Sequence, residues 1–403
     1  MKNKWLLLLL FHGALFAQME WNGLVDFMVS SGGPDSRFIT NGIKNDYTDP
    51  YLSIKQFNLF IYSEIEEDFI FEARLQFDNI GTGSLEPPRV TLASVTWIPE
   101  SEIVSISLGR FINPFGLYPQ RQLSVDNSFI TPPLAYGYFL NISDIWGFTP
   151  GLGDDMDYDR SSDDNVGMPT VYFCGYATGG YINWQMVEDV LSLDFAVTNM
   201  AISSSKNNTT LKNFGFITRL QVNPLPFWQQ GLSGSYGSFF EDKPPAASYP
   251  NLGQYRQTVF GTDWVVAYSY FELSGEAIYS LWNVPWWSTS SGAFITNSDG
   301  SLKEYNLENY TYYADFRFEP PFLTGSYLAV RYEQVGFPKF DDGSGGYSKE
   351  GIWDNGVTRY SVVFGYKIRR SILFKVAYFD QVTENLEPEP QDYVLQSTLS
   401  VSF

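Results

Sequence analysis

Histidine and cysteine are almost absent from this sequence, and their absence excludes several kinds of enzyme. The 403 residues include one histidine, His12, and one cysteine, Cys174. A single cysteine forms no internal disulfide. Because His12 lies inside the predicted export signal, the rest of the chain offers no Ser-His or Cys-His nucleophile pair and no His-ligated zinc site. The Asp and Glu residues also lack a recognisable catalytic spacing, so we do not expect an enzyme.

Long apolar runs and basic residues are scarce as well. Beyond the first 17 residues, no apolar stretch approaches the roughly 18 residues that a membrane-spanning helix needs. The chain has 25 Lys and Arg against 45 Asp and Glu, a net charge of −20. Nucleic acid is therefore excluded as a partner, because binding it requires cations that neutralise phosphates. Such an acidic chain attracts cations, or divalent ions that bridge it to anionic lipid.

The N-terminus has the pattern of a secretory signal. Lys2 and Lys4 precede the apolar run 5–10, and a stretch of small and apolar residues ends at Ala17. This pattern is typical of a signal peptide that is cleaved after the alanine. We therefore predict a signal peptide over 1–17 and one mature domain over 18–403; the alternative is a buried N-terminal helix.

Aromatic residues are abundant, at 18% of the chain, and they stand in runs of period-two alternation. In the last run, apolar residues such as Leu395 and Val401 fall on one face, and polar residues such as Gln396 and Ser400 fall on the other. Charges recur on the second face of other runs, which requires water on that side. Sixteen runs can be counted, at 20–30, 51–63, 68–78, 88–98, 103–112, 169–186, 190–200, 211–222, 229–240, 254–268, 271–284, 308–319, 325–335, 357–368, 371–384 and 391–403.

The gaps between these runs alternate in length. Every even-numbered gap has two to six residues, whereas most odd-numbered gaps are long and rich in Gly, Ser, Asn, Asp and Pro. A membrane-spanning up-and-down barrel has this arrangement, with tight turns on one side and long loops on the other. We therefore predict an all-β, antiparallel transmembrane barrel of about 16 strands. The run 169–186 contains Gly179-Gly180 and is the alternative place for two strands.

Two motifs resemble those of outer-membrane porins. The stretch Gly109-Arg110-Phe-Ile-Asn-Pro114-Phe115-Gly116 resembles a strand end of phosphate-selective porin-like proteins and related porins. Phe403, after an alternating strand, resembles the C-terminal signal of proteins that the barrel-assembly machinery inserts. The resemblance implies the outer membrane of a Gram-negative bacterium, contact with its lipid and lipopolysaccharide, passive diffusion without a cofactor, and a homotrimer. Phosphate selectivity is not carried over, because this chain is acidic.

The segment 113–168 is the third long loop, and the resemblance to general porins implies that it folds into the lumen. Its aspartates are Asp126, Asp144, Asp154, Asp155, Asp157, Asp159, Asp163 and Asp164. The basic residues expected on the facing wall are Arg74, Arg219, Arg317, Arg331, Arg359 and Lys375. Facing charges of opposite sign create a transverse field that sorts solutes by charge. The alternative is that the basic residues pair with acids of the barrel, such as Glu72, Asp315 and Glu333.

The acidic loop also has a partial metal-binding pattern. Asp155, Asp157 and Asp159 have the first spacings of an EF-hand loop. The pattern then fails, because Arg160 stands where glycine is needed and Val166 where glutamate is needed. A Ca²⁺ site therefore competes with a solvated acidic loop as the interpretation.

Together these patterns predict an outer-membrane porin for small hydrophilic solutes and ions, with a preference for cations. A structural or adhesive barrel with an occluded lumen and binding loops is the alternative. A sugar-selective porin is a lesser alternative, since loop aromatics either guide sugars or pack the loops. The aromatics concerned are Tyr136, Tyr138, Phe139, Trp146, Phe148, Trp282, Trp286 and Trp287.

Overall fold

The computed structural model contains sixteen long strands, β1 to β16, and parts of the connections between them. It describes residues 19–33, 39–40, 43–44, 49–78, 88–145, 147–148, 167–172, 175–204, 213–240, 252–288, 291–338, 353–384 and 392–403. The strands are β1 Met19–Gly32, β2 Tyr51–Glu66, β3 Phe69–Asp78, β4 Arg89–Trp97, β5 Val104–Ile112, β6 Tyr176–Val187, β7 Leu191–Thr198, β8 Gly215–Leu225, β9 Trp228–Ser238, β10 Arg256–Tyr268, β11 Phe271–Pro285, β12 Glu304–Phe318, β13 Ser326–Gly336, β14 Val357–Arg369, β15 Ile372–Thr383 and β16 Asp392–Ser402. The predicted signal peptide and Cys174 lie outside the described residues.

The sheet closes on itself. Each long strand pairs antiparallel with its neighbours in the chain, and β1 also pairs with β16. In the closing pair, Val25 lies opposite Val401. The amide of Phe403 donates to the carbonyl of Gly23 at 3.0 Å and the amide of Gly23 donates back at 2.7 Å, so the last residue belongs to the seam. The predicted fold class, a 16-stranded antiparallel barrel, is confirmed.

The two faces of the strands differ as the alternation predicted. In β14, Arg359 and Ser361 are buried inside the barrel, whereas Tyr360, Val362 and Phe364 are exposed on the outside. Successive side chains of a strand point to opposite faces. The same alternation recurs in most strands of the barrel and is less regular in β4 and β5. An apolar outer face and a polar inner face are the arrangement that a barrel needs in a lipid bilayer.

The two ends of the barrel also differ. At the end that we call the turn end, consecutive strands are joined by short connections at 67–68, 98–103, 188–190, 226–227, 269–270, 319–325 and 370–371. Both β1 and β16 have their free ends there, and all longer connections lie at the opposite end, which we call the loop end. The predicted alternation of short and long gaps is therefore confirmed.

Several predicted strand boundaries differ from the structure by up to four residues, and one, the start of the run 169–186, is wrong by seven. The run 169–186 is a strand only from Tyr176 onward, and that strand is not divided in two. The preceding residues pack inside the barrel instead, where the side-chain amide of Gln257 donates to the carbonyl of Thr170 at 2.8 Å. Gly175, with φ +60°, then turns the chain into β6.

Helical structure is minor. Among the residues that the structure describes, the 3-10 turns are Tyr118–Arg121 and Leu252–Gln254, and α1, one helical turn, is Leu134–Gly137. Two pairs of two-residue strands lie in the loops, Ile39–Thr40 with Ile43–Lys44 and Trp287–Ser288 with Ala293–Phe294. Within the part of the chain that is described, no helix is long and apolar enough to cross a membrane.

Candidate pore constriction

The third long connection, between β5 and β6, contacts opposite sides of the inner wall. We call its first described part, residues 113–145 and 147–148, the inward segment. Phe129 of this segment packs in one apolar cluster with Val363 of β14. Tyr136 packs in another cluster with Ile217 of β8. The segment therefore crosses the lumen between the two halves of the barrel wall.

The motif from Gly109 to Gly116 ends β5 and starts the inward segment. Pro114 has no amide hydrogen for a strand ladder, and β5 ends before it. Gly116 adopts φ +68°, which a side chain would strain. A Cβ atom at this position would also lie 2.7 Å from a carboxylate oxygen of Glu276 and 2.8 Å from the hydroxyl of Tyr136. Glycine is therefore required at position 116 for both conformation and space.

The first residues of the motif fit tightly against β4. Gly109 has φ +128°, and a Cβ atom there would clash with the carbonyl oxygen of Ala93. The Nε of Arg110 donates to the carbonyl of Thr91 at 3.1 Å. Phe115 is completely buried behind the turn. These contacts fix the direction in which the chain leaves the wall.

Glu276 of β11 is the wall carboxylate with the most contacts to the inward segment. Its Oε1 accepts the amides of Leu117 at 2.7 Å and of Tyr118 at 2.5 Å, and the hydroxyl of Tyr313 at 3.0 Å. Its Oε2 accepts the hydroxyl of Tyr136 at 2.7 Å. Burial and this carboxylate raise the pKa of Tyr136 well above its ordinary value, so the hydroxyl stays a donor. Glu276 is 1% exposed, and four hydrogen bonds replace the water that its charge has lost.

Two further carboxylates bind amides of the segment. Glu333 of β13 accepts the amide of Leu134, the first residue of α1, at 2.7 Å. Its other oxygen accepts the Nε of Arg359 at 2.6 Å. Asp354, in the connection before β14, accepts the amide of Asn141 at 2.6 Å. Acceptors of this kind satisfy backbone donors that have no partner within the segment.

Four cationic side chains of the wall bind the carbonyls of the segment. The contacts are Lys375 Nζ to Ser124 at 2.5 Å and to Asn127 at 2.6 Å, Lys55 Nζ to Ile130 at 2.5 Å, Arg331 Nη1 to Thr131 at 3.3 Å and Arg359 Nη2 to Pro132 at 2.8 Å. We expected such cations to face aspartate side chains of the loop. These hydrogen bonds go to its backbone, because carbonyls that are buried inside the barrel need donors. Six of the eight aspartates lie outside the described residues, so the facing of the two sets of charges stays a prediction.

Several cations of the wall pair with acids of the wall, as the alternative interpretation proposed. Arg219 forms two bonds to Asp263, at 2.6 and 3.2 Å, and both side chains are almost completely buried. Arg331 forms two bonds to Asp315, at 2.6 and 2.7 Å. Glu72, the third acid considered, is exposed. The inner wall is therefore a network of opposite charges into which the segment is bonded.

Arg74 and Arg317, the remaining predicted basic residues, have different surroundings. Arg74 is 4% exposed, and its Nε donates to the hydroxyl of Thr91 at 3.1 Å. Arg317 is half-buried near the turn end, where its Nη2 pairs with Glu319 at 2.6 Å. Its guanidinium lies 4.5 Å from the ring centre of Tyr327. Arg317 therefore borders open space, whereas Arg74 is part of the packed wall.

Two of the eight predicted loop aspartates lie within the described residues. Asp144 is buried, and Asp126 is exposed at the turn-end side of the segment. Partial desolvation raises the pKa of Asp126, although the charges of Lys375 and Arg121 oppose this shift. Outside the described residues lie Asp154, Asp155, Asp157, Asp159, Asp163 and Asp164, including the suggested Ca²⁺ spacing. Among the described residues, no group of three or more His, Cys, Asp or Glu side chains is placed to hold a metal ion.

Toward the loop end, residues of the wall and of the described loops form a large apolar cluster. The loop-end cluster consists of Leu134, Leu140, Ile142, Phe148, Met168, Ala201, Phe239, Phe240, Leu252, Tyr255, Trp282, Val284, Phe294, Tyr305, Leu307, Val335, Phe337, Trp353 and Val357. Trp282 is 1% exposed and Phe148 is 2% exposed. These two rings therefore offer no free face to a sugar, while Trp286 and Trp287 are half-buried against the cluster.

Toward the turn end the lumen is open and polar. A larger cavity of about 720 Å³ and a smaller one of about 450 Å³ lie below the inward segment. Both are bounded by Val125–Ser128 and by Arg317. The larger also borders Arg121, whose Nη1 pairs with Glu272 at 2.6 Å. We call these two spaces the turn-end cavities.

Three of the residues that hold the segment, Glu276, Asp354 and Lys55, were not predicted from the sequence. Glu276 stands on the polar face of the run 271–284, next to Glu272 and Ser274, so the alternation predicts that its side chain points inward. Its role in holding the segment was not predicted, because we considered only cations as partners of an acidic loop. Lys55 lies in a recognised run and was overlooked for the same reason: nothing in the sequence indicates a backbone carbonyl as its partner.

The barrel is similar to solved outer-membrane proteins over nearly its whole length. DcaP, an outer membrane channel of Acinetobacter baumannii, aligns with a TM-score of 0.55 and 11% identity, over 96% of this chain and 97% of its own. The anion-selective porin from Comamonas acidovorans aligns with a TM-score of 0.54 and 10% identity, over 96% and 99%. A loop L8 deletion mutant of OmpT, an outer membrane protein of Vibrio cholerae, aligns with a TM-score of 0.55 and 8% identity, over 96% and 99%.

These likenesses establish the architecture. The chain has the fold of outer-membrane porins, a closed transmembrane barrel of 16 antiparallel strands. No family model matches the sequence, and no curated sequence matches it either.

Proposed function

We propose that this protein is an outer-membrane porin through which small hydrophilic solutes and ions diffuse passively. The observation that carries the proposal is the charged inner wall, with side chains such as Asp263, Glu276 and Arg331 buried inside a barrel of the porin fold. Polar lumen faces are typical of barrels that conduct water and solutes. Two of the structural neighbours are named as a channel and as a porin, which supports the same class of function.

We infer that the turn end faces the periplasm and the loop end faces the outside, since porins carry their long loops externally. A Gram-negative outer membrane then surrounds the apolar outer face, with lipid and lipopolysaccharide as its neighbours. Insertion through the barrel-assembly machinery by way of Phe403, and a homotrimeric assembly, are proposals that rest on the sequence resemblance to porins.

In this proposal the inward segment narrows the lumen, and the aspartates of the 113–168 loop favour cations. The net charge of −20 acts in the same direction over the whole molecule. Asp126 is the described loop aspartate that faces the turn-end cavities, so it is the one whose charge a passing ion meets there. The wall cations contribute less to selectivity, because most of them are bonded to carbonyls and carboxylates.

Reversal potentials in planar bilayers test this function. In a tenfold KCl gradient, the full-length protein should conduct and should show a potential of the sign given by cation preference. Asp126→Asn should reduce that potential. Asp380→Asn, which removes the same charge from the exposed outer face of β15, should leave it unchanged. No conductance from correctly folded protein would contradict the porin function, and anion preference would contradict only the selectivity.

A structural or adhesive barrel with an occluded lumen is the second candidate. The observation that favours it is the loop-end cluster, in which rings such as those of Trp282 and Trp353 pack inside the barrel. An occluded barrel would give no current with the native chain and would conduct only after the inward segment is removed. The same bilayer experiment therefore separates the two candidates.

A further inference from the structure

We propose that the turn-end cavities form a binding site for a small oxyanion, a carboxylate or a phosphate, centred on Arg317. Arg317 is the cation that borders both cavities. The two spaces of about 720 and 450 Å³ share the roof Val125–Ser128 of the inward segment. Spaces of this size accommodate a small organic ion with its hydration water.

The charges around these cavities favour an anion. In the larger cavity, Arg331 is fully engaged by Asp315 and Arg121 is paired with Glu272, so these four charges cancel. The smaller cavity adds Lys367 and Arg370, which are exposed and for which no ion pair is formed with a described residue. Asp126 lines both cavities and Glu319 lines the smaller one. The described lining therefore has five cations, Arg121, Arg317, Arg331, Lys367 and Arg370, against four carboxylates, Asp126, Glu272, Asp315 and Glu319. The excess of one positive charge lies in the smaller cavity, although the chain as a whole carries a charge of −20.

Arg317 has an unused donor at this place. One of its terminal nitrogens, Nη2, pairs with Glu319 at 2.6 Å. Its Nε is buried and out of reach of a ligand in the cavity, but the other terminal nitrogen, Nη1, has no partner among the described residues, and the side chain is 31% exposed. The ring of Tyr327, 4.5 Å from the guanidinium, holds the group in place from one side. A carboxylate or phosphate would supply the missing acceptor, because a guanidinium presents its donors in a planar fork that matches these groups.

Glu319 is the built-in competitor for this site. Its carboxylate is more than half exposed and occupies only one terminal nitrogen of Arg317. An exposed pair of this kind contributes little stability, so an incoming anion displaces it at low cost. Removal of the Glu319 charge should therefore strengthen anion binding, whereas a purely structural Arg317–Glu319 pair predicts no gain.

Isothermal titration of the full-length protein in detergent at low salt tests the site, with succinate and inorganic phosphate titrated separately. Saturable binding of succinate alone identifies a carboxylate ligand, and saturable binding of phosphate alone identifies a phosphate ligand; either supports the proposal. Arg317→Gln should lower the affinity for the anion about tenfold or more, since it removes a charged hydrogen-bond donor. Glu319→Gln should raise the affinity for the anion several-fold.

A matched pair of variants in one turn provides the control. Arg370→Gln should weaken binding, because Arg370 lines the smaller cavity. Arg369→Gln makes the same change at the adjacent position, which is exposed but does not line either cavity, and should have no effect. No saturable binding of either anion, or equal losses in the two variants, would overturn the proposal. The titration needs no conductance, so its failure would leave the porin function untouched.

Discussion

The loop end and the turn end of one lumen have opposite chemistry. At the loop end Trp353 is 2% exposed, and its ring centre lies 4.8 Å from that of Phe337. At the turn end Asp126 and Arg317 face cavities of about 720 and 450 Å³. The difference indicates that the two ends of the inner wall have different roles. The apolar end packs against the loops, and the polar end borders an aqueous space.

The inner face of β13 shows this change within a single strand. From the turn end it runs through Ala329 to the charged pair of positions Arg331 and Glu333, and it ends at Val335 in the loop-end cluster. All four side chains are buried. The charged positions lie at the height of the inward segment, to which both are bonded. The comparison therefore predicts that substitutions at the loop end alter stability and that substitutions at the turn end alter selectivity.

The largest loss of stability is expected at the loop end, for Trp353→Ala. This change leaves a cavity among the surrounding rings and removes the bond from the indole nitrogen to the carbonyl of Glu308. We expect the free energy of unfolding in urea to fall by about 4 kcal/mol. Trp184→Ala changes a side chain that is 43% exposed on the outer face, and it should lower the free energy of unfolding by clearly less.

Ion selectivity should not change in Trp353→Ala as long as the variant folds. A changed reversal potential without a loss of stability would contradict the division between the two ends of the lumen.

A smaller loss is expected for Glu276→Ala, at the height of the inward segment. The change removes the acceptor of four hydrogen bonds, so we expect a loss of about 3 kcal/mol in the free energy of unfolding. Single-channel conductance should rise as well, because the segment loses its attachment to β11. Glu272→Ala, four residues away on the same face, removes only a half-exposed pair with Arg121 and should cost less than about 1 kcal/mol. Equal losses in the two variants would contradict the attachment role.

The smallest effect on stability and selectivity is expected from the titration of Asp126. Its pKa is raised in the folded chain by partial desolvation, so its charge disappears at a higher pH than that of an ordinary aspartate near pH 3.9. The protonated form is favoured by folding, and the associated stabilisation is present below about pH 3.9 and lost as the pH rises through the raised folded pKa.

Cation preference should therefore decline as the pH is lowered. The decline should occur at a higher pH than the titration of a free aspartate would give. Reversal potentials measured across this pH range check the expectation. The reference is Asp126→Asn, in which the change of reversal potential with pH should be absent. An equal change in the variant would mean that another group is responsible.

The fold could be predicted from the sequence because most strands repeat the same signal, although the runs 88–98 and 103–112 alternate less cleanly. Alternation in runs such as 357–368, and the parity of the gaps, report directly on the two faces and the two ends of a barrel. The strand start near Tyr176 was missed because alternation continues into residues that bond to the wall instead of a neighbouring strand. Local patterns do not distinguish these two kinds of partner.

The candidate site was predictable only in part, for a related reason. Gly116 and Pro114 have local conformational requirements, so the turn into the lumen was readable. The partners of Lys375 were not, because its nitrogen binds carbonyls more than 240 positions away in the chain. A backbone carbonyl has no sequence signature, so contacts of this kind appear only when the chain is folded.

Single-channel conductance, with and without the inward segment, tests the central claim most directly. Residues 117–165 would be replaced by a short Gly-Ser linker, and the fold of the variant checked by its shift in migration on heating. If the segment narrows a conducting lumen, the native chain conducts and the shortened chain conducts more. Equal conductance in the two chains would contradict the account.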